Sequence, residues 1–532
     1  MNYFSLNAAL GISNDPNPEY PTVETLIRHL DLLGVARTLV HSCEACDYSP
    51  FVHNMRLLAQ TGKQRDRLIP SFVITPYEIC NPAEIAALRK LAASGTVRSF
   101  RVFPAKGRFH LREIERVLRQ LAEFNPTLLM DRRGNGELEN IRDMTELAER
   151  FPTVNFVLTQ QMWGGFSEVM DMLWRRPNIY LDISWLHMHD ILPVLKADFG
   201  VERLLFSLGL RAHGGAAQAV LAHSGFTAAE QELAAHGNLE RMLGLSPLEF
   251  SGAARNDKPL WQAFRAGEGL NAAPVIDAHG HSGPVTNGFF IREKPDDYLQ
   301  LQALSRRLER LGIKTLLISS KPALFGYPTA GNAELETAVR SLKASRLRGM
   351  LVYNPNFIAE YPESLFEDYF RRGFYAGFKI HPDGCQVPVG DPRYEPMWRC
   401  AERYRLPVLS HTWNGPYSAP HRFEAVAERY PDVAILLGHS GGGSLEFRLE
   451  AEAAAERFPN IFLETCGSFC VVKPLAETIR RVGAGKVVFG SDCAGHSIAF
   501  ELGLLLSQDL PDDTLLPVLG QNMQNILERR KS

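Results

Sequence analysis

The chain has 532 residues and a formal net charge of −3, so its length allows two to four domains. Such a charge gives no basic field that would favour nucleic acid or an anionic membrane as a partner. The first residues, Met-Asn-Tyr-Phe-Ser-Leu, lack a basic leader with a long apolar stretch, and no apolar run reaches the ~18 residues needed to span a bilayer. We therefore expect a cytoplasmic protein without nucleic-acid or membrane partners.

The eight cysteines are scattered along the chain, and Cys43 and Cys46 form the closest pair. A framework of disulfides would need more regular spacing in a short secreted chain. A lone Cys-x-x-Cys without a second pair is also a weak signal for zinc or redox chemistry. We interpret these two residues as ordinary thiols.

The first half of the chain is repeated in the second half, about 280 residues later. Six segments pair in order: 99–104 with 377–382, 125–131 with 406–411, 149–161 with 428–439, 177–182 with 459–464, 204–209 with 487–492, and 236–243 with the C-terminal segment. A single period of this length indicates a duplicated domain rather than a solenoid. We predict one domain over residues 1–250, a linker over 251–272 and a second domain over 273–532, because the linker segment is small, polar and bounded by Pro and Gly.

The second half contains eight short apolar runs. They cover residues 275–281, 315–320, 347–354, 377–382, 406–411, 434–439, 461–466 and 487–492. Each is rich in aliphatic or β-branched residues and is followed by a helix-like segment such as 422–430, as in buried parallel βα units. Eight βα units in about 260 residues predict a TIM barrel. With the repeat, the predicted fold class is α/β, with two tandem (β/α)8 TIM-barrel domains.

Most of these runs end in a residue that can bind a metal or transfer a proton. The first run ends in His279-Gly-His281, and later runs end at His411, His439 and Asp492. Alternate residues of a strand share a face, so the first two histidines can hold one divalent ion together. The carboxyl ends of the strands are where barrel enzymes carry their chemistry.

These five positions resemble the amidohydrolase superfamily, in particular its amidohydrolase-2 (decarboxylase-like) branch. His411 follows His281 by 130 residues, His439 follows 28 residues later, and Asp492 a further 53 residues on. The segment 520–527, Gly-Gln-Asn-Met-Gln-Asn-Ile-Leu, is similar to the closing helix of that family. The resemblance covers residues 273–532.

The resemblance implies a metal site made of His279, His281, His411 and Asp492. Imidazoles and one carboxylate suit one divalent ion, zinc by preference with manganese as the alternative. Such a site leaves a position for a water that ionises near neutral pH. We expect His439 to orient water or act as a general acid and base, and Asp492 to accept the proton of the attacking water.

Four further residues are predicted to contact a small-molecule substrate. Lys379 and His381 alternate on the fourth strand and could hold a carboxylate or oxyanion, although Lys379 also resembles the carboxylated lysine of binuclear family members. Trp413 and Arg422 lie in a loop, residues 411–422, that we expect to form the rim. Cys466 is interpreted as a small buried hydrophobic residue.

Asp277 and His496 are given supporting roles. Asp277, at the end of the first strand, is predicted to brace a ligand histidine, and His496 is interpreted as a loop residue just beyond Asp492.

The first half lacks the predicted metal ligands. Asn7 and Ala9 replace the first-strand histidines, Asp131 replaces His411, Gln160 or Gln161 replaces His439, and Gly209 replaces Asp492. We predict a catalytically degenerate barrel that packs on the second barrel in place of the partner in an ancestral homodimer, with further homo-oligomerisation left open. The alternative is that the first half binds substrate through Arg101, His110, Asp131 and Arg133.

The predicted function is a metal-dependent hydrolase that cleaves an amide, ester or lactone bond of a small molecule with a metal-bound water. Non-oxidative decarboxylation of a small carboxylic acid uses the same metal cage, but the Asp277-Ala-His-Gly-His281 pattern resembles the hydrolytic members more.

Gly438-His-Ser440-Gly-Gly442 also fits a nucleophile elbow, followed by Asp492 and His496 in the order of a serine hydrolase. The serine-hydrolase alternative leaves His279, His281 and His411 unexplained. A further alternative, a non-catalytic scaffold, leaves the complete set of predicted site residues in the second half unexplained.

Overall fold

The computed structural model describes residues 1–12, 18–132, 138–162, 164–248, 257–283, 301–467, 472–493 and 495–531. The chain divides into two compact units, one running to Asp257 and one beginning at Lys258. The predicted linker therefore overlaps the second unit, because Trp261 and Phe264 of a helix within it are buried. Its residues 251–256 lie outside the described part of the chain.

The first unit contains a parallel sheet of nine strands. They are β1 (Phe4–Ser5), β2 (Ala9–Leu10), β3 (Arg37–Ser42), β4 (Leu68–Val73), β5 (Ser99–Val102), β6 (Thr127–Asp131), β7 (Asn155–Thr159), β8 (Ile179–Asp182) and β9 (Leu204–Leu205). β1 and β2 both pair with β3, so they form one interrupted strand, and the others follow in sequence order. The amide of Leu6 donates to the carbonyl of Phe206 (3.1 Å), which joins the first strand position to the last.

Twelve α-helices lie in the described ranges of the first unit. They are α1 (Val23–Leu33), α2 (Glu44–Asp47), α3 (Pro50–Gln60), α4 (Pro82–Ala93), α5 (Pro104–Gly107), α6 (Glu115–Leu121), α7 (Leu138–Arg150), α8 (Phe166–Arg175), α9 (Ile191–Phe199), α10 (Ala216–Ala222), α11 (Ala228–Glu232) and α12 (Asn238–Leu243). Helix α1 shows their construction: Thr22 caps its N-terminus, and Leu26, Leu30 and Leu33 place one apolar face in the core. This spacing is that of an amphipathic helix packed on a sheet.

The second unit contains an eight-stranded parallel sheet in sequence order. Its strands are β10 (Ile276–Ser282), β11 (Thr315–Ser320), β12 (Leu347–Val352), β13 (Tyr375–Ile380), β14 (Val408–His411), β15 (Ile435–Gly438), β16 (Ile461–Glu464) and β17 (Val487–Val488). The amide of Ala278 donates to the carbonyl of Phe489 (2.9 Å), and the amide of Asp492 donates to the carbonyl of His279 (2.8 Å). These bonds join the first strand to the segment after the last one, so the sheet closes into a barrel.

Thirteen α-helices belong to the second unit in the described ranges. They are α13 (Pro259–Arg265), α14 (Leu301–Leu311), α15 (Lys321–Phe325), α16 (Pro328–Ser341), α17 (Glu363–Arg371), α18 (Pro382–Cys385), α19 (Glu395–Tyr404), α20 (Glu424–Arg429), α21 (Leu445–Arg457), α22 (Leu475–Val482), α23 (Ile498–Leu506), α24 (Asp512–Leu516) and α25 (Asn522–Glu528). Met523 and Ile526 of the closing helix pack into a core cluster with strand residues such as Leu317 and Leu409. None of the helices described in either unit is long and apolar enough to cross a membrane.

The two sheets confirm the predicted fold class of two tandem (β/α)8 barrels. Strand residues are buried on both faces, as expected for parallel strands enclosed by helices. The repeats also coincide in register, since Phe100 pairs with Leu128 in the first barrel and Phe378 pairs with Val408 in the second. Equivalent positions can therefore be compared residue by residue.

Candidate metal centre

The carboxyl ends of the second barrel's strands bring most of the predicted site residues together. Because parallel strands end on one rim, the side chains that end them converge there. The contributors are His279 and His281 on β10, Lys379 on β13, His411 on β14, His439 after β15, Glu464 and Cys466 at the end of β16, and Asp492 after β17.

Three of the four predicted metal ligands form one compact group. His281 Nε2 lies 3.0 Å from Asp492 Oδ1, and His279 Nε2 lies 3.7 Å from the same oxygen. One ligand atom from each of the three residues falls within 4.8 Å of the others. Asp492 reaches this position with a left-handed backbone (φ 55°), a conformation that costs a non-glycine residue about 1–2 kcal/mol.

The protonation states in this group are those of metal ligands. Burial disfavours the imidazolium ion and lowers the pKa of His281 to about 3, and it lowers the pKa of His279 well below its ordinary value. Burial would by itself raise the pKa of Asp492, but the neighbouring His279 and a hydrogen bond from His281 hold it well below its usual range. Neutral imidazoles beside an ionised carboxylate need lose no proton to bind a divalent ion.

Each histidine of the first strand is held by a second side chain. Ser319 Oγ lies 2.8 Å from His281 Nδ1, and Glu464 Oε2 lies 3.0 Å from His279 Nδ1. Such outer contacts fix the tautomer and orientation of a ligand histidine. Glu464 is not among the site residues predicted from the sequence, although an acid that ends the equivalent strand in both halves of the repeat is a signal that could have found it.

Asp277 braces the backbone rather than an imidazole. It accepts hydrogen bonds from the amide of His279 (3.1 Å), and from the amide (3.0 Å) and hydroxyl (2.5 Å) of Ser491. Burial raises the pKa of Asp277 to about 7. His496 also has a defined place, because its Nε2 lies 3.7 Å from Asp492 Oδ2.

Lys379 is fully buried against the first-strand histidine. Its Nζ lies 2.7 Å from His279 Nε2, and burial lowers its pKa to about 8 although Asp492 acts in the opposite direction. The amine is thus a cation beside the predicted ligands at neutral pH. Its role in holding substrate stays a prediction.

The fourth predicted ligand, His411, lies in a stack of rings beside this group. It is parallel to His381 at 4.0 Å between centroids and to Trp413 at 5.8 Å. Its Nε2 lies 3.5 Å from Asp383 Oδ2, and it belongs to neither three-residue group of metal-binding atoms found among the described residues. Asp383, two residues after His381, was missed by the sequence analysis.

His439 lies between the stack and the metal ligands. Its ring centroid is 4.8 Å from that of His411 and 5.2 Å from that of His279. The backbone there is left-handed (φ 64°), and its amide donates to Glu464 Oε2 (3.2 Å). Burial lowers the pKa of His439 to about 3, so the ring is neutral.

Cys466 forms the second group of metal-binding atoms with His279 and His439. Its Sγ lies 3.2 Å from Nδ1 of each histidine and donates to Glu464 Oε2 (2.8 Å). The residue is fully buried, as predicted, but its neighbours are polar. Burial raises the pKa of the thiol well above its ordinary value.

The structure does not support the predicted rim contact of Arg422 with the site or the alternative in which Ser440 is a nucleophile. Arg422 is exposed in the short 3₁₀ helix Pro420–Phe423, where the structure brings it into contact with none of the site residues it describes. Ser440 is buried and its hydroxyl donates to the carbonyl of Glu464 (2.7 Å). The closed barrel is also not the sheet of an α/β-hydrolase, so the glycines around Ser440 serve the turn after β15.

The described residues of the first barrel contain no comparable group of metal-binding atoms. Arg101 is fully buried and donates to Asp131 Oδ1 (2.7 Å) and Asn7 Oδ1 (2.9 Å). His110 is exposed, and Arg133 lies outside the described residues. The alternative substrate site in this half therefore has its central arginine and aspartate engaged with each other.

Comparison with known proteins identifies the family. The profile described as Amidohydrolase matches this chain twice, over residues 29–245 and 216–522. The chain therefore belongs to the amidohydrolase family. No curated protein sequence matches it.

Solved structures similar to this chain each cover about half of it. A 5-carboxyvanillate decarboxylase from Sphingomonas paucimobilis is 14% identical over 48% of this chain and 99% of its own, with a TM-score of 0.37. A dihydroxybenzoic acid decarboxylase from Polaromonas sp. JS666 with bound manganese is 17% identical over 48% and 97%, with a TM-score of 0.38. A putative amidohydrolase from Staphylococcus aureus is 14% identical over 48% and 99%, with a TM-score of 0.37.

Proposed function

We propose that the second barrel is a metal-dependent hydrolase that cleaves an amide, ester or lactone bond of a small molecule. The observation that carries this proposal is the convergence of His279, His281 and Asp492 within ligand distance, in a chain of the amidohydrolase family. Their donor set, two neutral imidazoles and one carboxylate, fits a divalent ion such as zinc or manganese. We propose His411 as a further ligand, reached by a turn of its ring away from Asp383.

A divalent ion held there supplies positive charge that acidifies water and polarises a carbonyl oxygen. The surrounding residues would then manage protons and orientation. His439 Nδ1 faces Cys466, so we assign proton transfer to its Nε2. A neutral, buried imidazole can accept a proton and return it to a leaving group.

The remaining residues position the substrate in this proposal. Lys379 offers a buried cation that would hold a carboxylate or oxyanion next to the reacting carbonyl. His381 and Trp413 flank His411 with parallel rings, which would give a flat wall for an apolar or planar part of a substrate. Arg422 would act only at the outer rim because it is exposed.

The test is hydrolysis of a panel of small amides, esters and lactones by the full chain, after chelation and after reloading with zinc or manganese. We expect at least about one equivalent of metal per chain and turnover that returns with the metal. In the manganese-loaded chain, His439→Asn should lower turnover by about 10²–10⁴-fold while manganese remains bound at His281 and Asp492. The matched first-barrel variant, Gln160→Asn, should leave turnover unchanged.

Two results would overturn the proposal. Turnover that resists chelation would exclude a metal-dependent hydrolase. Release of carbon dioxide from small carboxylic acids, with no hydrolysis across the panel, would assign the same site to decarboxylation.

A further inference from the structure

The buried thiol of Cys466 has no task in the hydrolytic proposal, although it lies at the centre of the site. It contacts Nδ1 of His279 and Nδ1 of His439 at 3.2 Å each. All three residues are buried, and their atoms form a complete three-ligand group. Two imidazoles and a thiolate are a set that soft or borderline metals prefer.

This group lies on the other side of His279 from the predicted metal ligands. Nδ1 of His279 faces Glu464 Oε2 (3.0 Å) and Cys466 Sγ (3.2 Å), whereas its Nε2 lies 3.7 Å from Asp492 Oδ1. A neutral imidazole has a lone pair on only one nitrogen. The two groups are therefore alternative cation positions that share one ring.

The first barrel shows which residues of this arrangement change together. Sheet register places Asn7, Gln160 and Ser184 at the positions of His279, His439 and Cys466. All three metal-binding groups of the second barrel are thus replaced by an amide or a hydroxyl. The supporting carboxylate is kept in both, since Ser184 donates to Asp182 (2.8 Å) as Cys466 donates to Glu464 (2.8 Å).

This co-replacement argues that sulfur matters where the histidines are present. A thiol that served only to fill space or to hydrogen-bond the carboxylate could be a serine, as it is in the first barrel. Charge is also balanced at this buried position, because a divalent ion, a thiolate and the carboxylate of Glu464 sum to zero. Ligand atoms in a tetrahedral zinc site lie about 3.5 Å apart from the usual bond lengths, so the observed 3.2 Å would need to open by only a few tenths of an ångström.

The structure assigns Cys466 as a metal ligand: a thiophilic divalent ion binds on the Nδ1 side of His279, held by His279 Nδ1, His439 Nδ1 and Cys466 Sγ. A harder ion, such as manganese, binds instead on the Nε2 side with His281 and Asp492. The thiol releases its proton to solvent when the soft ion binds. This inference rests on the proposed function, because it concerns which metal ion the proposed hydrolase binds and which residues hold that ion.

The experiment loads the metal-free full chain with cobalt(II) or manganese(II) and follows binding by absorbance and elemental analysis. Cobalt should give a thiolate-to-metal charge-transfer band in the near ultraviolet. Cys466→Ser should abolish that band and weaken cobalt binding by about 100-fold or more, since losing a ligand costs at least as much as losing an outer-shell partner. Manganese affinity should stay unchanged in Cys466→Ser and be lost in Asp492→Asn.

The controls separate this inference from the proposed function. Cys400→Ser removes a half-buried thiol on α19 and should leave the band intact. Cys466→Ser should fold, because Ser184 occupies the equivalent position in the first barrel. The absorbance spectrum of the cobalt-loaded wild-type chain tests the inference independently of that variant. Cobalt that binds without a thiolate band, or a band that survives Cys466→Ser, would overturn the inference while leaving a metal-dependent hydrolase intact. A chain that binds neither ion would overturn both.

Discussion

The two barrels share a backbone frame but carry different side chains on it. In the second barrel, the buried carboxylate of Glu464 accepts hydrogen bonds from the amides of His439 (3.2 Å) and Cys466 (2.7 Å). In the first barrel, Asp182 accepts from the amides of Gln160 (3.2 Å) and Ser184 (2.7 Å). The carboxylate that receives these amides is thus present in both barrels, whereas the groups of metal-binding atoms found among the described residues lie only in the second.

The backbone conformation at two strand ends shows the same persistence. His439 and its counterpart Gln160 both have left-handed backbones (φ 64° and 55°), as do Asp492 and its counterpart Gly209 (φ 55° and 69°). Glycine adopts this conformation without strain, whereas aspartate does not. The second barrel thus has a strained aspartate where the first has a glycine, which is expected where a side chain is needed for function.

The cation on the fourth strand differs most between the barrels. Lys379 of the second barrel adjoins the imidazole of His279 at 2.7 Å. Arg101, at the equivalent position of the first barrel, donates instead to Asn7 and Asp131, which occupy the places of His279 and His411. An internal guanidinium therefore joins two positions that in the second barrel are predicted to join through a metal ion.

The largest effect is expected from giving the second barrel the first-strand residues of the first. The double variant His279→Asn, His281→Ala should lose its metal and at least about 10³-fold in turnover, because two ligands of the predicted site are removed. Metal content and steady-state hydrolysis of the best substrate measure this. Asn7→Ala, the first-barrel control, should retain both metal and turnover, and metal retained at wild-type level in the double variant would show that these histidines are not ligands.

The sequence predicted much of this comparison, because the repeat and the strand-end residues are local patterns. The spacing of residues in the sequence predicts the eight βα units, the replacement of His279 by Asn7 and the convergence of His281 with Asp492. It does not predict the contacts of Glu464, Asp383 and Cys466, since each joins residues distant in sequence through barrel closure or ring orientation. A buried acid or thiol gives no periodic signal of its own.

The next prediction separates a structural cation from a functional one. Arg101→Met should destabilise the chain by about 3–5 kcal/mol, because it removes the guanidinium paired with the buried carboxylate of Asp131. Lys379→Met should cost less stability, because among the described residues its amine contacts the His279 ring (2.7 Å) rather than a carboxylate, but it should lower turnover. Urea unfolding and hydrolysis assays on both variants measure the contrast.

Adding Asp131→Leu to Arg101→Met provides the control, because removing both charges should recover most of the lost stability. If Lys379→Met destabilised the chain as strongly as Arg101→Met and left turnover intact, both cations would be structural. The two barrels would then differ less than their side chains suggest.

The smallest effect concerns the pH dependence of stability in the metal-free protein. His281, His381 and His439 have pKa values lowered by burial to about 3, against about 6.5 in an unfolded chain. Below pH 6.5 these histidines bind a proton in the unfolded state but not in the folded state. Each histidine therefore lowers the free energy of unfolding by about 1.4 kcal/mol per pH unit as the pH falls. Asp277, with a pKa raised by burial to about 7, acts in the opposite direction by a similar amount.

These four groups alone should therefore lower stability by about 3 kcal/mol per pH unit between pH 6 and 5. In the second barrel the buried His279 and His411, whose pKa values burial lowers well below the ordinary value, should add to that loss. In the first barrel, burial lowers the pKa of His29 to about 3 and raises that of Asp182 to about 6, so these two effects nearly cancel just below pH 6. The buried His41, whose pKa burial lowers well below the ordinary value, should then leave a slope of about 1.4 kcal/mol per pH unit. Urea unfolding followed at several pH values, with the two barrels distinguished by hydrogen exchange, measures both slopes. His281→Asn should reduce the slope of the second barrel by about 1.4 kcal/mol per pH unit. Equal slopes in the two barrels would mean that the buried histidines take up protons in the folded state, and the ready-made ligand set inferred for the metal centre would not exist.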